Sequence, residues 1–259
     1  MRVDLHNHTT LCNHAEGEMY QYIEKAIASG TEYFGFSEHA PMAFDERYRM
    51  RFDQMEQYRE DVLGLRKAYA DRIEILLGLE VDFLPGYMDD RVLNADVDYL
   101  IGSVHFIGKW GFDNPEFIGE YQNRDIDQIW QEYFDAVTAM AKSGYFDIVG
   151  HIDLIKVFKY LPKKDIRLIA AEALEAIKKA DMTIEINMAG YRKPVAEPYP
   201  SPLLLDEIRQ RDIPVTFGSD AHKPQQVSLY AKEVVTLAKA HGFDKCAVFK
   251  ERERELLNI

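Results

Sequence analysis

The chain has 259 residues, is 47% hydrophobic, and carries 44 acidic against 31 basic side chains for a formal net charge of -13. That length suits one α/β barrel or two small domains with a real core. Its longest apolar runs, such as Ile73–Leu79, are too short to cross a bilayer, and so acidic a surface repels nucleic acid and anionic membranes.

An anionic metabolite would be repelled too, unless bound cations invert the local field. Cys12 and Cys246 are the only cysteines. They give no disulfide framework and suit a reducing compartment. The chain enters a strand at once, with no charged-then-apolar leader, so a cytoplasmic location is expected.

In chain order the strand candidates are Val3–His6, Tyr33–Ser37, Ile73–Val81, Tyr99–Ser103, Ile148–His151, Thr183–Asn187 and Val215–Ser219. Each is short, apolar and rich in β-branched or aromatic residues, with the weak alternation expected of strands buried on both faces of a parallel sheet. Helical patterns lie between them. Glu18–Ser29 stops at Gly30, Asp53–Ala70 repeats apolar residues at helical spacing, and Ile126–Lys142 stops before Gly144. Asp165 can cap Ile166–Ala180, Ser201 with Pro202 starts a helix at Leu203, and Lys223–His241 holds the next. The charged run Lys250–Glu255 reads as a solvated helix face. Strand and helix alternate throughout, so a parallel sheet, closed or doubly wound, is expected in one domain over residues 1–259. The loops Pro41–Phe52, Ile107–Arg124 and Ile152–Pro162 follow strands and would share one rim.

The strand ends carry the chemistry. His6, His8, His14, His39, Glu80, His105, His151, Asp220 and His222 each sit at or just past one, and they include seven of the eight histidines. In a barrel such ends converge on one site. Nine ligands are too many for one ion and suit two or three. His6 and His8, like Asp220 and His222, are two residues apart, so in extended chain they point the same way. Glu80 closes a very apolar run, where a carboxylate needs a cation. Two metals would occupy both its oxygens, and a salt bridge to Arg or Lys is the structural alternative. The remaining histidine, His241, suits a helix C-terminus before Gly242, and Cys12 reads as a packing thiol.

These residues resemble the polymerase-and-histidinol-phosphatase (PHP) superfamily of metal-dependent phosphoesterases. The matching stretches are His6-Asn7-His8, His14, Ser37-Glu38-His39, Glu80, Gly102-Ser103-Val104-His105, Gly150-His151 and Gly218-Ser219-Asp220-Ala221-His222. Gly150–Ile155, Glu185-Ile186-Asn187, Gly190–Pro194 and Glu197–Ser201 are similar to one branch, the histidinol-phosphate phosphatases of histidine biosynthesis. The resemblance implies a distorted (β/α)7 barrel, in agreement with the seven strands counted above. It further implies a first ion on His6, His8, Glu80 and Asp220, a second on Glu80, His105 and His151, and a third on His14, His39 and His222. The ions would be zinc, iron or manganese, since histidine-rich sites disfavour magnesium.

The chemistry so implied is hydrolysis of L-histidinol phosphate by a hydroxide held between two metals. Glu80, Asp220, His222 and Arg192 are the expected catalytic residues. Arg192 is the phosphate clamp by its planar fork, with a surface arginine as the alternative, and Lys156 and Lys159 are second choices for substrate binding. The general acid is not identifiable from the sequence. Two other readings stand beside this one: a phosphoesterase acting on another monoester or a diester, and a metal-binding or polymerase-associated module without catalysis.

Overall fold

The computed structural model describes residues 1–259. Seven parallel strands form one sheet: β1 (Val3–Asp4), β2 (Tyr33–His39), β3 (Glu74–Asp82), β4 (Tyr99–Ser103), β7 (Ile148–Val149), β8 (Thr183–Asn187) and β9 (Val215–Gly218), neighbours in that order. Its edges meet. Leu5 N donates to Phe217 O at 2.9 Å, Asp220 N to His6 O at 2.7 Å and His8 N to Ala221 O at 2.9 Å. The fold is therefore a distorted (β/α)7 barrel. Around it lie α1 (Met19–Ala28), α2 (Met55–Ala68), the one-turn α3 (Asp90–Leu93), α4 (Ile126–Ser143), α5 (Ile166–Lys179), α6 (Pro202–Gln210) and α7 (Ala231–Ala240).

Local sequence accounts for most of these boundaries. Asp165 caps α5 by accepting from Arg167 N, and Gly144 ends α4 in the left-handed conformation at φ 75°, where a residue without Cβ costs least. β3 reads Glu-Ile-Leu-Leu-Gly-Leu-Glu-Val-Asp and is buried from its second residue on, as a strand covered on both faces must be. The expected Lys223–His241 helix is instead a short 3-10 turn at Pro224–Gln226 followed by α7. Ser228 at φ 55° breaks the path between them.

The barrel interior is filled across its axis by one side chain. The Tyr99 hydroxyl donates to Leu5 O at 2.6 Å. Its ring occupies space that only glycines leave free: a Cβ at Gly78 would stand 2.3 Å from the ring, and one at Gly35 would stand 1.9 Å from the hydroxyl. Behind Tyr99 sits Phe249, 6.4 Å between ring centroids.

Phe249 belongs to a feature the charge pattern concealed. Lys250–Glu255 is the turn and start of an antiparallel hairpin, β10 (Lys245–Lys250) with β11 (Glu253–Asn258), rather than a helix face. Glu251 and Arg252 lie at φ 50° and 67°, the pair of left-handed residues a tight hairpin turn requires. The buried run Cys246–Phe249 faces the core. Arg252 Nε donates to Asp147 Oδ2 at 2.5 Å and its amide to Asp98 O at 2.9 Å. Lys250 reaches Glu74, and Arg254 reaches Asp181. All four acceptors stand at or just before the first residues of barrel strands, so the hairpin seals the N-terminal end. The loops after β2, β4, β7, β8 and β9 are left to form the open end. A small hairpin of β5 (Phe106–Ile107) with β6 (Trp110–Gly111), then a 3-10 run Pro115–Gln122, organises the loop after β4.

Gly78→Ala is expected to cost about 1–3 kcal/mol, the usual penalty of forcing a group into a filled core. The midpoint of denaturant unfolding measures it. An unshifted midpoint would mean that Tyr99 does not occupy the barrel axis as described.

Candidate metal centre

The strand-end residues converge at the open end around Glu80. Its two carboxylate oxygens face different histidines. Oε2 lies 3.4 Å from His6 Nε2, 3.6 Å from His8 Nε2 and 2.8 Å from His39 Nδ1. Oε1 lies 2.9 Å from His151 Nε2 and 3.7 Å from His105 Nε2, and accepts from Ser103 Oγ at 2.7 Å. His8 Nε2 is also 3.4 Å from Asp220 Oδ1. Ligand atoms about an ion with tetrahedral bonds of about 2.0–2.1 Å stand roughly 3.3–3.4 Å apart, close to the spacings between His6, His8, Glu80 and Asp220.

Four groups have ligand atoms mutually within 4.8 Å: His6, His8 and Glu80; Glu80, His105 and His151; His8, His39 and His222; Cys12, His14 and His222. The first two match the expected first and second ion sites, with Asp220 adjoining. The expected third set, His14, His39 and His222, is spread over the last two overlapping groups. Ring centroids of His14 and His222 are 4.6 Å apart, and those of His14 and His39 are 5.3 Å apart. Cys12 is fully buried and its Sγ donates to Thr9 O at 3.1 Å, and burial pushes its thiol pKa up.

The imidazoles are pre-oriented. His6 Nδ1 lies 2.7 Å from Glu185 Oε1, His8 Nδ1 3.4 Å from Glu38 Oε1, and His105 Nδ1 2.5 Å from Asp82 Oδ1. His14 Nδ1 faces Cys12 O at 2.8 Å, and His222 Nδ1 faces Asp220 O at 3.2 Å. An oxygen beside Nδ1 makes that nitrogen the donor and turns the Nε2 lone pair toward the centre. The Nε2 atoms of His6, His8 and His222 are buried without any hydrogen-bond partner, and Glu80 Oε2 has only the 2.8 Å approach of His39 Nδ1. Orphaned buried polar atoms are costly. His6, His8 and Glu80 face one another in one group and His222 lies in another with His8 and His39, so divalent ions held there would satisfy them.

Electrostatics agree. Burial alone would lower the His6 pKa, but Glu185, Glu80 and Asp220 outweigh it and raise it. Burial likewise opposes protonation of His8 and His105, and nearby carboxylates still lift them to about 9 and about 10. Glu80 and Asp220 stay ionised against burial because histidines surround them. Burial and the neighbouring His8 hold His39 down at about 4. Without ions, protons shared among the histidines balance the carboxylates, which is the charge that cations would replace.

Several of these supporting residues were not singled out from the sequence. Asp82 and Glu80 share one face of β3, and Asp82 also accepts from Arg49 Nη1 at 2.8 Å. Glu38 accepts from Thr9 N at 2.9 Å. Glu185 accepts from His151 N at 2.9 Å and from Asn187 Nδ2 at 3.0 Å. Gly218 makes room for this, since a Cβ there would stand 1.9 Å from Glu185 Oε1. Asp4 holds β9 to β1 by accepting from Ser219 N at 2.8 Å and from Ser219 Oγ at 2.5 Å. The available signal was carboxylates inside otherwise apolar strands.

A cavity of about 360 Å³ opens above the histidines, lined among others by Arg192, Lys193, Tyr199 and Asp113. Arg192 Nη2 donates to Ser219 O at 2.9 Å and to Asp220 O at 2.8 Å, while Nη1 is buried and unpaired. The two lysine expectations need correction. Lys156 is 1% exposed, and its ammonium is spent on Asp153 Oδ2 (2.9 Å), Glu197 Oε1 (2.8 Å) and Pro198 O (2.8 Å), tying down the loop after β8. Lys159 is exposed and does not line the cavity. Lys193, next to Arg192, is the lysine at the rim.

Glu185→Gln removes the charged acceptor of His6 Nδ1 while keeping side-chain shape. Affinity for zinc or manganese is expected to fall about 10–100-fold, as when other such supporting partners are lost. Titration of metal-free protein against a competing chelator measures it, and unchanged affinity would show that Glu185 does not set the His6 ring.

Comparison with known proteins agrees with this geometry. A histidinol-phosphatase of Bacillus subtilis is 31% identical over 89% of this chain and 96% of its own length. A Deinococcus radiodurans protein named "Probable histidinol-phosphatase" is 38% identical over 97% of this chain and 98% of its own. The histidinol phosphate phosphatase of Lactococcus lactis, solved with zinc, L-histidinol and phosphate, superposes with a TM-score of 0.80 at 24% identity over 98% of both chains, a likeness of fold. No helix of the chain is long and apolar enough to cross a membrane. The PHP domain model matches residues 4–189, which span the ligands from His6 to His151. Barrel, histidine cluster and sequence match together show that the chain belongs to the PHP domain family.

Proposed function

We propose that this chain is a metal-dependent histidinol-phosphatase, hydrolysing L-histidinol phosphate to L-histidinol and inorganic phosphate in histidine biosynthesis. The observation that carries the reading is Glu80, whose two oxygens each face a separate set of histidines on the floor of a cavity that Arg192 also lines, with its Nη1 unpaired. Support comes from relatives bearing that activity's name over nearly their whole length and from the ligands bound in the Lactococcus lactis enzyme. All 259 residues would form one metallophosphoesterase domain.

His6, His8, Glu80 and Asp220 would hold one ion and Glu80, His105 and His151 a second, with His14, His39 and His222 around a third. Zinc, manganese or iron fits this nitrogen-rich donor set. When bound, such ions supply charge for the phosphate oxygens and acidify the attacking water. The residues do the rest. Glu185, Glu38 and Asp82 hold the imidazoles rigid, so little reorganisation is needed as charge develops. Arg192 lines the cavity, is anchored by Nη2 to two carbonyls and keeps Nη1 unpaired, so it would be the group to take a phosphate oxygen. The cationic rim offsets the repulsion that a surface of net charge -13 would exert on a phosphate dianion.

The direct test is phosphate release from a panel of phosphomonoesters with added manganese or zinc. L-Histidinol phosphate is expected to have the highest kcat/KM; preference for another ester would redirect the substrate assignment.

Arg192→Ala should lower kcat/KM by roughly 10²–10³-fold, the range for a lost transition-state donor. Arg192→Lys should restore only part, since a point charge cannot grip oxygen and both carbonyls in one plane. Metal analysis of the same proteins separates the roles. Loss of metal from Arg192→Ala would make Arg192 a support for the Ser219-Asp220 backbone rather than a phosphate clamp.

A further inference from the structure

The cavity above the histidines continues into a second lobe of about 290 Å³. Asp113 and Lys193 line both lobes. The second has an aromatic side, with Tyr48, Phe106 and Phe117. Asp113 therefore stands where a substrate anchored by its phosphate at the floor would lead the rest of its carbon skeleton.

Asp113 differs from the other carboxylates nearby. Glu38 is committed to His8 and Thr9, Asp82 to His105 and Arg49, Glu185 to His6 and His151, and Asp153 to Lys156. Each has its positive or donor partner within the protein. Asp113 is half-buried and has no ion-pair partner within 4.0 Å. Burial raises its pKa; His105 and Lys193 act against that from a distance, and Asp82 adds to it. A partly buried carboxylate without a partner is unfavourable unless a cation arrives with the ligand.

We propose that Asp113 receives a cationic nitrogen of the substrate and so selects phosphomonoesters whose carbon chain bears an ammonium beside the ester. The inference rests on the phosphomonoesterase reading and adds its basis of choice: phosphate held at the histidine floor and Arg192, cation at Asp113, and a flat ring accommodated against Tyr48, Phe106 and Phe117. Lys193 is the competing cation. Were it to close on Asp113, the substrate nitrogen would gain nothing there.

The experiment compares L-histidinol phosphate with its des-amino counterpart, 3-(imidazol-4-yl)propyl phosphate, on metal-loaded protein. The wild type should favour the ammonium-bearing ester by roughly 30–100-fold in kcat/KM, the scale of a desolvated charge pair. The difference should lie mainly in KM, because the contact is remote from phosphorus. In Asp113→Asn the ratio should collapse to within about threefold of one, with Asp113→Glu keeping part of it and metal content equal in all three proteins. A wild-type ratio near one overturns the proposal without any variant. So does an Asp113→Asn protein that loses the same factor on both esters. The pair 2-aminopropyl phosphate and propyl phosphate reads the same ratio independently of the imidazole. A preference there, without preference for L-histidinol phosphate in the panel, would sink the histidinol assignment and leave Asp113 as the cation acceptor.

Discussion

A carboxylate and a crowd of imidazoles are buried together at the end of a barrel, and the rest of the molecule is arranged around that fact. Glu80 is 2% exposed, with His6 and His8 at 0% and His151 at 2%. Moving such groups out of water costs several kcal/mol each unless opposite charge accompanies them. The chain supplies that balance without a lysine or arginine among them. Its answer is a constellation of lone pairs facing inward, with the Nε2 atoms of His6, His8 and His222 free of hydrogen bonds, a donor set on which cations would complete the charge balance. Folding and metal binding would then be coupled: the candidate ligands lie on or after six different strands, and only near neighbours such as His6 with His8 and Asp220 with His222 are close before the barrel closes.

Closure and ligation share their atoms. β1 is only two residues long, too short to hold the sheet shut by its own ladder. The seam is instead extended by His6 O, His8 N and Leu5 N bonding to the segment from Phe217 to Ala221, and by Asp4 accepting twice from Ser219. The backbone that closes the barrel thus carries His6, His8 and Asp220. Glu185, from β8, spans the same seam by gripping His6 and the His151 amide. A substitution at Asp4 or Ser219 would loosen His6, His8 and Asp220 together with the barrel.

The two ends of the barrel divide the labour. At the N-terminal end the β10–β11 hairpin presses Phe249 against Tyr99 and pairs its arginines with Asp147 and Asp181. At the other end the loops are longer and carry residues that line the cavity: Arg192, Lys193 and Tyr199 after β8, and Asp113 after β4. Buried Lys156 stabilises this rim from beneath, bridging Asp153 on one loop to Glu197 on the next.

The amino-acid sequence alone determined the alternation of strands and helices and the row of metal-binding side chains at strand ends. Periodicity left a parallel sheet, closed or doubly wound; the resemblance of the strand-end stretches to the PHP superfamily implied the barrel, in which residues at successive strand ends must meet. That is why His6, His14, His39, Glu80, His105, His151 and His222 could be placed together although more than 200 residues separate the first from the last. Only the tertiary structure decided which charges are spent and which are free. Lys156 and Lys159 look alike along the chain, yet one is locked in an internal ion pair and the other lies outside the cavity. Asp82, Glu38 and Glu185 acquire their roles from partners 23, 30 and 179 residues away, and Asp113 acquires its role from having none. The run Lys250–Glu255 carries charge that fits helix or hairpin, and the choice came from Phe249 finding Tyr99 at the bottom of the barrel. Periodicity and strand-end position are local properties of a chain. Burial and pairing depend on which side chains the completed fold brings within a few ångströms of each other.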